Sequence, residues 1–166
     1  MFWYKHKTFY SESENMYCCE NKIYSTTKSF DIIDITDDIK KFIADQWGKN
    51  WLCSIFTRHT TAVIKINEAE EGFRGDLKEW CDKNISIDAR YRHNDLEHRD
   101  PKTMCESKEE CLNGHAHIRA MVIGNSSETI PVQSWNLMLG RWQRVLVFEL
   151  DHAREREIVF SFVGEK

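Results

Sequence analysis

From Gly114 to the end of the chain, strand-like segments follow one another with no helical pattern between them. Residues 115–123, 128–132, 135–139, 142–150 and 157–162 each carry a short apolar or alternating run, punctuated by Gly124, Pro131, Gly140 and Gly164. Strands that succeed one another without crossover helices pair antiparallel. Such a chain is expected to be an α+β sheet protein and not a doubly wound βαβ array.

Upstream, residues 23–35 are rich in Ile, Thr, Tyr and Phe and read as two short strands or one bent strand. Thr36 sits where a helix N-cap belongs, with Asp37 and Asp38 in the first turn. Ile39, Phe42, Ile43 and Gln46-Trp47 recur at helical spacing, and Gly48 closes the helix. Residues 51–57 and 62–67 are compact β-type runs, and Phe73, Leu77, Trp80 and Cys81 predict a second amphipathic helix. Residues 86–113 are polar and lack periodicity, and loops of that length are usually functional or disordered. The expected order is ββαββα followed by about five mainly antiparallel strands. Residues 1–21 read as an N-terminal extension and 22–166 as a single domain.

Charge and apolar patterning narrow the partners. The chain has 166 residues, 23 Lys plus Arg against 27 Asp plus Glu, and no run of like charges that would mark a polybasic arm. Nucleic acid is therefore not an expected partner, because phosphate binding draws on clustered cations. Apolar runs such as 145–148 stop far short of the roughly 20 residues that cross a bilayer, so no membrane partner is expected. Residues 1–10 lack the apolar stretch of a signal peptide, which points to the cytosol. The six cysteines contain no CxxC pair; Cys53 and Cys81 read as buried hydrophobes, while Cys105 and Cys111 bracket a charged loop and could pair on oxidation.

Histidines carry the chemistry that the residues suggest. On a strand, His115 and His117 would project from one face and form half of a metal site, with His59 or His93 as a third ligand and Glu68 or Glu149 as a carboxylate. Half-exposed strand histidines satisfied by hydrogen bonds explain the same spacing. Glu68 follows an apolar strand and could share acid–base work with His59, or simply cap or face solvent. Gly124-Asn125-Ser126-Ser127 could form an anion nest, although serine pairs also serve turns. Glu149 shares a strand face with Gln143 and Asp151, and is either a binding residue or half of a buried ion pair.

Several motifs taken in order give a resemblance. They are Arg58-His59-Thr60-Thr61-Ala62 with Ile66-Asn67-Glu68, Tyr91-Arg92-His93-Asn94, and Asn113-Gly114-His115-Ala116-His117. After them come Gly124 to Ser127 with Ile130-Pro131, Leu139-Gly140-Arg141-Trp142-Gln143, and Glu149-Leu150-Asp151. Together, over about 22–164, they resemble the YjbQ-like family, whose members are often labelled secondary thiamine-phosphate synthases. The resemblance implies a homotrimer with sheets packed around a three-fold axis and a cleft at the subunit interfaces. The activity it implies joins a hydroxymethylpyrimidine pyrophosphate to a thiazole phosphate with release of pyrophosphate. Onto that cleft it places His59, Glu68 and His93 as catalytic residues, and Arg58, Thr60, Asn67, Asn94, Ser126, Gln143 and Glu149 as substrate-binding residues. His59, His93 and His117 would hold a divalent metal, zinc or magnesium, or a phosphorylated metabolite. The chain departs from the family pattern in a long, charged segment at 100–112 and in Ser134-Trp135-Asn136, which replaces an Asn-Gly turn.

Two other readings compete with the enzyme: a trimeric metal- or metabolite-binding protein without turnover, and a structural trimer whose histidines serve the interface. Residues 67–111 carry thirteen acidic and eight basic side chains, so an anionic substrate needs local help from Arg58, Arg92, histidines or a metal.

Overall fold

A computed structural model describes residues 15–45, 50–104 and 107–165. The chain forms β1 (Asn15–Ser25), β2 (Asp31–Asp34), α1 (Thr36–Ala44), β3 (Asn50–Thr57), β4 (Ala62–Asn67) and α2 (Glu71–Asn84). Short 3₁₀ turns follow, then α3 (Gly114–Ile123), β5 (Ser127–Gln133), β6 (Asn136–Leu137), β7 (Arg144–Glu149) and β8 (Glu155–Glu165). The strands form two wholly antiparallel sheets, one ordered β1-β8-β3-β5-β6 and the other β2-β7-β4. The α+β class and the antiparallel pairing match the sequence expectation.

Alternation along the strands builds two apolar layers. On β7, Val145 and Val147 join Ile64 of β4 against Ile158, Phe160 and Phe162 of β8, with Ile35, Ile39, Phe42 and Ile43 around α1 closing that core. Leu146, Phe148 and Val63 point the other way, onto Cys81 of α2 and Ala116 and Ala120 of α3. The small sheet is thus covered on both faces, which is why β7 reads as a continuous apolar run and not as an alternating one. Phe42 meets the rings of Phe160 and Phe162 at centroid distances of 5.7 and 6.2 Å, and Trp51 stacks on Phe162 at 4.3 Å. Cys53 and Cys81 are fully buried, as their settings suggested; Cys105 lies outside the described residues.

Four expectations are corrected. Residues 114–123 form a helix, not a strand: their buried positions, His115, Ala116, Arg119 and Ala120, follow a helical stripe. Short apolar segments of ten residues satisfy either period, and packing on the small sheet decides. The expected extension gives up residues 15–21 to β1, which pairs with β8 along its whole length, while 1–14 lie outside the described residues. Thr36 is already helical; the capping work belongs to Asp34, whose Oδ1 accepts from the Thr36 amide at 2.9 Å and its hydroxyl at 2.6 Å. The helix ends at Ala44, and Gln46, Trp47 and Gly48 lie outside the described residues. Among the described residues no helix is long and apolar enough to cross a membrane.

Candidate functional site

The β3–β4 connection, residues 58–61, and one face of α3 wall a cleft with two lobes. The wide lobe, about 780 Å³, lies between Phe56, Val63, Ala120 and Met121, with Asn125 and Ser126 at its rim. The narrow lobe, about 360 Å³, is lined by His93, Arg99, Asn113, Arg154 and Arg156. Arg58, His59, Thr60 and His117 line both. Because 114–123 is helical, His117, Ala120, Met121 and Gly124 fall at i, i+3, i+4 and i+7 and share the cleft-facing side. Gly124 lets this helix approach β4: a Cβ there would sit 2.5 Å from Val63 Cγ2.

Of the histidines named from the sequence, the fold brings His93 and His117 together, with ring centroids 4.5 Å apart and planes tilted by 56°. His115 does not join them. On a helix its side chain leaves from another face; it is 2% exposed, close to Tyr91, and neither ring nitrogen finds a partner among the described residues. His59 lines both lobes, yet its Nε2 accepts the Glu157 amide at 3.1 Å. Burial holds the His59 and His117 imidazoles below the ordinary value of 6.5, aided by Arg156 beside the first and His93 beside the second.

That geometry does not suit a three-histidine metal centre. With Nε2 of His59 occupied as an acceptor, its neutral ring carries the hydrogen on Nδ1 and presents no free lone pair. Among the described residues no set of three His, Cys, Asp or Glu side chains is disposed to hold a metal ion. The narrow lobe instead gathers guanidinium groups. Arg156 is tied to Glu149, Arg154 to Asp151, and Arg58 lies 3.6 Å from Glu157. Arg99 hydrogen-bonds the carbonyl oxygens of His93 at 3.1 Å and Thr103 at 2.5 Å, contacts His93 Nε2 at 3.4 Å, and meets no carboxylate among the described residues.

The remaining expected site residues are dispersed. Glu68 is exposed at the far end of β4; six strand residues at roughly 3.3 Å each set it about 20 Å from the His59 end. Asn67 and Gln143 sit at that same far end, Asn67 accepting from the Glu68 amide and Gln143 from the Gly140 amide. Within one chain none of the three reaches the cleft. Asn94 caps α3, its Oδ1 accepting the Gly114 amide at 2.9 Å. Glu149 is wholly buried beneath the cleft, gripped by Arg156 at 2.5 and 2.6 Å, so its role is the ion pair rather than direct binding.

Arg99, Asn113, Asp151, Arg154 and Arg156 escaped the sequence reading as site residues. One signal was present: Arg156 shares the period-2 face of Ile158, Phe160 and Phe162, and a cation on a buried strand face needs a partner. The others come from separate loops whose meeting no local pattern announces.

Known proteins place this architecture. A family model described as UPF0047 protein YjbQ-like matches residues 21–165. A UPF0047 protein of Archaeoglobus fulgidus is 34% identical over 81% of this chain and 92% of its own length. One from Methanothermobacter thermautotrophicus is 30% identical over 84% and 87%. Among solved structures, a YbjQ-like protein of unknown function from Sulfolobus solfataricus superposes with a TM-score of 0.78 at 29% identity, covering 91% of this chain and 99% of that one. A yjbq/upf0047 protein from Clostridium acetobutylicum gives 0.70 at 30% identity, over 88% and 98%. The shared fold, the length of the match and the run of motifs agree, and the chain belongs to the UPF0047 family of YjbQ-like proteins.

Proposed function

We propose that the two-lobed cleft binds a phosphorylated small metabolite and works on it by acid–base chemistry. The observation that carries this reading is the juxtaposition of two imidazoles, His93 and His117, with Arg99, a guanidinium that meets no carboxylate among the described residues. A phosphate group in the narrow lobe would take charge-assisted hydrogen bonds from Arg99 and Arg58, and the wide lobe would seat the rest of the molecule against Ala120 and Met121. His93 would accept the proton of the incoming phosphate and then add its own positive charge to that of Arg99.

The reaction implied by the family resemblance, formation of thiamine phosphate, suits such a cleft. The thiazole nitrogen bonds to the pyrimidine methylene carbon as the bond from that carbon to the pyrophosphate oxygen breaks. Arg99 and Arg58 neutralise the departing pyrophosphate. The experiment is to supply purified full-length protein with hydroxymethylpyrimidine pyrophosphate and thiazole phosphate, with and without Mg²⁺, and to compare wild type with His93→Gln. Thiamine phosphate formed by wild type and reduced at least tenfold in the variant supports the reading. No product, or equal product from both, removes this reaction.

The homotrimer belongs to the same proposal. The face of the five-stranded sheet turned away from the core carries an apolar row, Tyr17, Val163, Leu52 and Pro131, set side by side by the strand register and exposed among the described residues. Light scattering should give three chains per particle in wild type and fewer in Leu52→Lys; a monomeric wild type would refute the assembly.

A further inference from the structure

The network behind His93 settles which of its nitrogens carries hydrogen. We infer that Asp151 and Asn113 are positioning residues that hold His93 in the Nε2–H tautomer and leave Nδ1 as its open lone pair. The inference starts at Asp151, which is 5% exposed. Its Oδ2 receives Arg154 Nη2 and Asn113 Nδ2, each at 3.0 Å. A carboxylate only accepts, so the amide nitrogen of Asn113 must face it, and Asn113 Oδ1 is left toward His93, 3.1 Å from Nε2. An amide oxygen also only accepts, and Nε2 therefore donates.

A second neighbour pulls the other way. Arg99 Nη1 lies 3.4 Å from the same His93 Nε2, and a guanidinium can only donate. Were Arg99 the partner, Nε2 would have to present its lone pair and the hydrogen would move to Nδ1. Arg99 Nη1 makes its shorter contact to the His93 carbonyl, 3.1 Å away, and its longer one to Nε2, while Asn113 holds the shorter contact to the ring at 3.1 Å. Asn113 is buried directly before α3, and Asp151 follows β7, so two rigid elements carry the pair that decides between the tautomers. No hydrogen bond to His93 Nδ1 occurs among the described residues, which leaves that atom to a ligand. The use made of Nδ1 rests on the proposed phosphate cleft; the tautomer does not.

The test is a long-range proton–nitrogen spectrum of full-length protein labelled with ¹⁵N-histidine, recorded near pH 8, above the ordinary imidazole range. His93 is assigned by the resonances lost in His93→Gln. Wild type should show the Nε2–H pattern at His93. Asn113→Ala should shift both ring nitrogens toward the Nδ1–H pattern, because Arg99 then becomes the neighbour of Nε2. Asp151→Asn, which frees the Asn113 amide to turn, should move them in the same direction and serves if Asn113→Ala does not fold. An Nδ1–H pattern in wild type overturns the inference without any variant, and so does an unchanged His93 pattern in a folded variant. Phosphate binding by the same samples reports separately: the predicted tautomer without binding keeps the assigned role of Asp151 and Asn113 and removes the function proposed for the cleft, and binding with the wrong tautomer does the reverse.

Discussion

Glu149→Gln separates the two roles that a carboxylate at this position can have. Glu149 is 0% exposed and Arg156 2%, and Arg156 donates to both Glu149 oxygens, at 2.5 and 2.6 Å. The Asp151 amide adds a third bond at 2.9 Å. Gln preserves the shape but leaves the guanidinium charge buried without its counter-ion and turns an NH₂ toward a group that only donates. Breaking one side of a buried pair costs about 3–5 kcal/mol. For a domain of this size each kcal/mol shifts the midpoint by about 2–4 °C, so the melting temperature should fall by about 6–20 °C. Urea unfolding followed by tryptophan fluorescence should lose the same 3–5 kcal/mol, with both proteins at one concentration because assembly would add stability. A loss under about 1 kcal/mol combined with weakened phosphate binding would show that Glu149 serves the ligand and that the ion-pair argument is wrong.

Three further outcomes follow from the same fold. Ser134 and Trp135 both hold positive φ, 48° and 60°, in the tight β5–β6 turn, so Ser134→Asn with Trp135→Gly should stabilise the fold by about 1–2 kcal/mol in urea unfolding, and a loss would contradict the assigned strain. Gly124→Ala should cost about 1–3 kcal/mol, since its Cβ would press on Val63; an unchanged urea midpoint would mean that α3 shifts freely. Burial holds His59, His115 and His117 below 6.5, so the unfolded chain binds more protons than the native one under mild acid. Their stabilisation is present above 6.5 and lost as pH falls, and the urea midpoint should drop from about pH 7.5 to 5 and drop less in His117→Gln. A midpoint flat across that range would contradict it.

Periodicity carries far in this chain where an element has one dominant face. β3, β4, α2 and the apolar positions of α1 could be read directly, and β7 was read as a strand, its burial on both faces emerging only from the packing. α3 could not, because a ten-residue apolar segment suits both periods until the small sheet supplies a surface for Ala116 and Ala120. The start of β1 was hidden for another reason: Cys18 is its buried anchor, the polar run Glu20-Asn21-Lys22 interrupts the apolar pattern after it, and pairing with β8 organises it. For the cleft, three residues that the motifs supplied, His59, His93 and His117, line one hollow. They also grouped Asn67 and Glu68 with His59, although the strand read at 62–67, six residues at roughly 3.3 Å each, already carries the chain to the opposite end of the sheet. Arg99, Asn113 and Asp151 meet through loop closure alone.

The central claim is that the narrow lobe is an anion site organised by Arg99. Isothermal titration of inorganic phosphate into full-length wild type and Arg99→Gln tests it most directly. A hydrogen bond to a charged group is worth about 1.5–3 kcal/mol, which corresponds to roughly 10- to 150-fold in affinity. Saturable binding of one phosphate per chain, weakened by that factor in Arg99→Gln, is the predicted result. Absence of saturable binding in wild type, or equal affinity in the two proteins, would contradict the account.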